Sequence, residues 1–185
     1  MVLAKNTYEK LYRMLDQVTP LDYDCGILCN RVCCQGGKDV GMYLFPGEEQ
    51  QFSGTEDWLN WQRHKVKFYD FPPSWQGTVN FLICTGECPR AQRPLQCRFY
   101  PLAPHLLMDR SLLIIYDPIK VPYQCPLIAN KMQLSPHFIS AVYQAWRILL
   151  QDERIKDLVI WDSQKREKQL NIIPDILLAE DHGAQ

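Results

Sequence analysis

Four of the chain's eight cysteines fall within ten residues, in the segment DYDCGILCNRVCCQGG from Asp22 to Gly37. No other feature restricts the possible folds as much. A lone cysteine is at home in an apolar core, but four in one short loop must share a partner or stand ready to react. The last two, Cys33 and Cys34, are adjacent. Neighbouring side chains usually diverge, so this pair serves two metals, or supplies one ligand and one bystander. If the loop is helical, Cys25, Cys29 and Cys33 share a face and Cys34 sits beside it.

The other thiols follow the same economy. Cys84 and Cys88 lie in ICTGECPRAQRPLQCRFYPL with Cys97 nine residues later, and Cys125 stands in YQCPLI. The chain begins MVLAKNTYEKLYRML, without a signal-peptide hydrophobic segment. No apolar run approaches the roughly 20 residues needed to cross a bilayer. The expected location is therefore the cytoplasm, with no membrane association. There thiols stay reduced, and clustered cysteines read as metal-binding or redox-active rather than as disulfides. The formal net charge of -1 provides no field for nucleic acid or anionic lipid, so neither is expected as a partner. A metal ion or cluster is the expected partner, and a protein partner is left open.

Thiolates are soft ligands, selecting zinc, copper(I) or iron–sulfur clusters over hard cations. Four complete a tetrahedral zinc shell or hold a four-iron cluster. Candidate metal ligands are thus Cys25, Cys29, Cys33, Cys34, Cys84, Cys88, Cys97 and Cys125. The C-x3-C spacings suit zinc, while Cys88-Pro89 and Cys125-Pro126 echo the Cys-Pro of some ferredoxin motifs. Zinc and iron–sulfur both stay open as cofactors.

The order C-x3-C-x3-C-C, then C-x3-C, then RPLQCRFYP resembles the CxxCxxCC family of zinc- or iron-chelating domains. The Arg-Pro-x-x-Cys-Arg element, with its following aromatic and proline, falls on Arg93, Pro94, Cys97, Arg98, Tyr100 and Pro101. The likeness covers about half the chain, Asp24 to Pro101 or on to Cys125, and not the C-terminal third. Here the first cluster has three-residue gaps where the family name implies two. The resemblance implies chelation. The family also includes flagellin lysine methylases, which implies as alternatives a metal-dependent enzyme, either a protein lysine methyltransferase or a redox enzyme. A thiol redox sensor is a further alternative, because arginines near a C-x3-C pair can depress thiol pKa values.

At 185 residues the chain is expected to form one domain, residues 1–185, large enough to bury a core. The expected class is α+β, with short strands, cysteine-rich loops over about 22–126 and a helical region over about 135–170. Tyr8, Leu11, Tyr12 and Leu15 predict a helix from about Lys5 to Gln17. VGMYLF (Val40 to Phe45), VKFYDF (Val66 to Phe71), TVNFLIC (Thr78 to Cys84) and SLLIIYD (Ser111 to Asp117) predict strands. Ser53 and Glu56 form a capping-box pattern ahead of a brief helix carrying Trp58 and Trp61. Ser135 and Pro136 open a helix with a wide apolar stripe, followed by another from about Asp152 to Gln169. The Pro174 to Ala179 segment reads as a docked tail.

Arg93 and Arg98 are candidates for offsetting thiolate charge. His105 is the one histidine considered as a ligand; His64, His137 and His182 have no chemical context. Glu48 and Glu49 either bound a cleft or sit in a solvated turn. KREK, Lys165 to Lys168, reads as an exposed helix face. P-loop, G-x-G-x-x-G, G-x-S-x-G and H-E-x-x-H motifs are absent, so no catalytic residue is assigned.

Overall fold

Apolar periodicity sets the helices. In a computed structural model describing residues 2–35, 41–86, 88–170 and 176–179, α1 spans Lys5–Met14 and buries Tyr8 and Leu11. α2 is Leu95–Phe99 and α3 is Pro126–Ala129. α4 (Pro136–Leu149) carries Phe138, Val142, Trp146 and Leu149 on its buried stripe. Asp152, fully buried, opens α5 (Glu153–Leu170) by accepting hydrogen bonds from Arg154 N at 2.9 Å and Ile155 N at 3.4 Å.

Two three-stranded antiparallel sheets complete an α+β fold. The first has β3 (Thr78–Cys84) between β1 (Gly41–Tyr43) and β2 (Leu59–Lys65). The second has β5 (Leu112–Tyr116) between β4 (Leu102–Leu106) and β6 (Ile176–Ala179). Leu102, Leu106, Leu112 and Ile114 join the main core with the inward faces of α1, α2, α4 and α5. Ser163 on α5 accepts from Leu106 N at 2.9 Å, fastening that helix to the end of β4. No described helix is long and apolar enough to cross a membrane.

Several elements differ from the sequence expectation. Ser53 and Glu56 do bond, with Ser53 N donating to Glu56 Oε1 at 2.7 Å, but they close a turn rather than start a helix. Trp61 instead lies in β2, whose seven residues all pair with β3. Long-range pairing supplies backbone partners that one local turn cannot. The strand expected at Val66 to Phe71 is displaced for the same reason: pairing ends at Lys65, and Val66–Phe68 form a 3₁₀ turn. β4 lacks the alternation of a half-exposed strand because all five of its residues are buried. α1 stops at Met14, short of Gln17. The docked tail forms β6 along β5, while Pro174, like His182 and Val40, lies outside the described residues.

His105 sits fully buried in β4, with Nε2 3.3 Å from Glu167 Oε1 but too poorly aligned for a hydrogen bond. Its pairing is with α5, and it is not grouped with the thiols. Burial and the charge of Arg166 lower its pKa, with Glu167 offsetting part of that. Below about pH 6.5 the unfolded chain takes up a proton that the folded imidazole resists, so stability falls as the pH drops. Melting curves at pH 7.5 and pH 5 should show His105→Phe losing less stability on acidification than the parent. Equal losses would remove His105 from the acid response.

Candidate metal centre

Four separate stretches deliver the eight thiols, and a different local device holds each. Asp24 begins the first loop by accepting from Gly26 N at 2.9 Å and pairing with Arg31 at 3.0 Å. That carboxylate accordingly stays below its usual pKa, chiefly through the Gly26 hydrogen bond. The loop is no continuous helix. Two 3₁₀ turns, Cys25–Leu28 and Val32–Cys34, are separated by Asn30 and Arg31, both left-handed at φ 51° and 53°. This break turns Cys33 and Cys34 away from the direction a regular helix would give them.

Cys84 ends β3, and Cys88 follows it into the turn before α2. Cys97 lies within α2, where the sequence reading expected a loop. Cys125 precedes Pro126 at the start of α3, the proline occupying the first helical turn where its missing N–H is harmless.

These stretches meet so that the thiols form two neighbourhoods. Cys34, Cys84 and Cys88 pack with Leu44, Trp58, Leu59, Leu82 and Met42. Cys88 lies within hydrogen-bonding reach of Cys34, and Cys97 feels the charges of Cys84, Cys88 and Cys34. Cys25, Cys29, Cys33 and Cys125 line a second small cavity of about 60 Å³, walled in part by Tyr100 and Tyr123. Cys97 borders this cavity too. Cys33 and Cys34 stand at the junction, their sulfurs 3.9 Å apart. All eight cysteines are free.

The electrostatics follow from burial. Desolvation, with neighbouring thiols adding to it, pushes Cys84 up to about 11 and Cys97 well above its ordinary range. For Cys25 burial, then Asp24 and Cys125, does the same, to about 11. The hydrogen bond that Cys88 donates to Cys34 is the largest influence raising Cys88. Arg93 opposes the rise at all four and lies within hydrogen-bonding reach of Cys88. Its Nε is buried without a hydrogen-bond partner.

Arg98 has another task. Its guanidinium donates to the carbonyls of Arg93 at 2.7 Å, Ala91 at 2.9 Å and Arg90 at 3.0 Å, and stacks 4.6 Å over the Tyr12 ring. It folds the 90–93 turn onto α2. Arg90 is similarly committed, donating to the carbonyls of Asp16 and Val18 in the segment that follows α1. Of the three arginines, Arg93 alone combines nearness to the thiols with an uncommitted donor.

Glu48 is fully buried, which corrects the solvated-turn expectation. Gly47, at φ +95°, turns the chain so that Glu48 points inward; a Cβ there would meet Leu3 O at 3.2 Å. Glu48 Oε1 accepts from Leu95 N at 2.8 Å and Tyr12 Oη at 2.9 Å, and Oε2 from Phe45 N at 3.0 Å. It thereby ties α1 and the strand-following loop to the first residue of α2, two residues before Cys97. Glu49 accepts from Gly47 N at 3.0 Å and steadies the same turn.

Met42 was missed in the sequence. Its thioether lies 2.9 Å from Cys97 Sγ, placing a further soft sulfur beside the first neighbourhood. Alternation along β1 marks Met42 as facing its neighbour Tyr43's opposite side, but cannot tell which sulfur it meets.

The donors fit a soft metal in kind. Among the described residues, however, no group of three or more His, Cys, Asp or Glu side chains has an arrangement that could hold a metal ion. The thiols are gathered without being closed around a centre. No protein-family model, curated protein or solved structure matches the chain.

Proposed function

We propose that the protein binds zinc or an iron–sulfur cluster through two cysteine sets. Cys34, Cys84, Cys88 and Cys97 make one set; Cys25, Cys29, Cys33 and Cys125 make the other. The observation that carries this reading is the parting of Cys33 from Cys34 into two neighbourhoods with three further thiols each. A core that merely buried cysteines has no reason to sort thiols from four chain segments into groups of that size.

Buried neutral thiols gain little from each other. A soft cation reverses the balance by deprotonating its ligands on binding. Metal entry would draw each set inward. With zinc a tetrathiolate carries a formal charge of about -2, which Arg93 is positioned to offset. The resemblance of the cysteine pattern to chelating domains supports the same reading. No side chain here is assigned a catalytic role.

The test is elemental analysis with a visible absorption spectrum, on protein purified without oxygen. Stoichiometric zinc without colour, or iron with sulfide and a brown spectrum, is the expected result. Neither metal in stoichiometric amount would end the proposal. Reversible peroxide oxidation of the metal-free thiols would then favour a redox sensor.

A further inference from the structure

At the end of β2 a stack of rings runs out from the first sheet and stops at the surface. His64 lies between Phe81, with centroids 4.7 Å apart and planes at 23°, and Tyr69, at 4.5 Å and 4°. Its imidazole is fixed on both nitrogens: Nδ1 accepts from Tyr43 Oη at 3.0 Å, and Nε2 donates to Gln62 Oε1 at 2.9 Å. Tyr69 is the last ring of the stack. His64 covers one of its faces, yet the residue is 46% exposed. A flat π system laid on the open face would continue the stack in the offset geometry that aromatic pairs prefer.

Tyr69 lines a cleft of about 570 Å³, a volume usual for small-molecule sites. Its base is firm: Trp75 is buried there, stacks on Phe71 at 5.0 Å and donates its indole N–H to Arg154 O at 2.8 Å. The charged residues of the lining are Lys65 and Lys67, both exposed. Among the described residues no carboxylate lines this cleft or forms an ion pair with either lysine. Lys67 instead rests 4.8 Å from the centre of the exposed Phe68 ring. Asp70, the carboxylate nearest in the chain, is committed to α5, where it pairs with Lys165 and accepts from Trp161 Nε1 at 3.2 Å. Two positive charges thus stand beside a half-open ring, although the whole chain has a net charge of -1.

We infer that this cleft binds a single nucleotide, its base on the open face of Tyr69 and its phosphate answered by Lys65 and Lys67. Stacking on an aromatic side chain accepts any base, since every base has a π face. Two ammonium groups on flexible stems serve as point charges for one phosphate. A longer strand would need further cations along its track. The lining contains no cysteine, so this site stands or falls apart from the metal reading.

The test is calorimetric titration of the full chain, as purified, with adenosine 5′-monophosphate, adenosine and ribose 5-phosphate. The nucleotide should bind at least about tenfold more tightly than either fragment, and added salt should weaken the nucleotide but not adenosine. Tyr69→Ala should weaken nucleotide binding by about tenfold, while Tyr69→Phe, which keeps the ring, should leave it unchanged. Replacing both lysines, Lys65→Gln with Lys67→Gln, should bring the nucleotide down to the affinity of adenosine. Both lysines are exposed and glutamine keeps most of each stem, so this variant stays folded whatever Tyr69→Ala does to stability. Absent nucleotide binding, a fragment that binds as well as the nucleotide, or unaltered affinity in the lysine variant would each overturn the inference. A single-stranded adenylate pentamer binding more than about tenfold tighter than the mononucleotide would also overturn it and assign the surface to a strand.

Discussion

Replacing Glu48 with alanine is expected to lower the melting temperature by roughly 10 °C and to reduce bound metal. Three donors converge on this carboxylate from separate parts of the chain: Phe45 N, Leu95 N and Tyr12 Oη. Each buried donor left unsatisfied costs about 1–3 kcal/mol. Removing a fully buried carboxylate returns part of that, since burial raises the Glu48 pKa and so works against its charged form. A net loss of about 4 kcal/mol remains, and a chain of this size shifts by roughly 2–4 °C per kcal/mol. Glu48→Gln separates the contributions. Its carbonyl can keep Tyr12 and Leu95, but its amide nitrogen meets the Phe45 N–H donor to donor. It should lose about 1–3 kcal/mol and retain its metal, because the start of α2 stays anchored. Thermal melts of parent and both variants, with metal analysis of each, check this. An alanine variant that melts with the parent would show that the three donors find other partners.

The contrast between Glu48 and the cysteines shows what a sequence exposes. Thiol clustering is visible because the residue type itself carries the chemistry, whatever the fold. The dependence of α2 on Glu48 is invisible, because Phe45, Leu95 and Tyr12 come from places separated by up to 83 residues in the chain. FPGEEQ looks like a solvated turn until Gly47 is known to rotate its first glutamate inward. Helices were legible where one apolar stripe decides the matter, as in α4. Strands were less so: β2 contains the charges of Arg63 and Lys65, and its identity depends on pairing with β3. Arg93 and Arg98 looked equivalent, and only the carbonyls gathered around Arg98 distinguish them.

Serine substitutions at the adjacent cysteines carry the other large effect. If the two sets are real, Cys34→Ser should lose about half of the bound metal, and so should Cys33→Ser, from the opposite set; the double variant should lose nearly all. The pair offers a control that single-site tests lack, since both changes fall in the same turn and disturb the backbone alike. Cobalt(II) loading of zinc-free protein gives the readout, because thiolate-to-cobalt charge-transfer intensity follows the number of bound sulfurs. Unchanged metal in Cys33→Ser would make Cys33 a bystander and leave one set. Complete loss in both single variants would instead mean one shared centre. Their sulfurs are 3.9 Å apart, so two anionic centres built on them repel each other. Each single variant should therefore hold its remaining metal at least as tightly as the parent does, and chelator titration of the half-loaded proteins measures that difference.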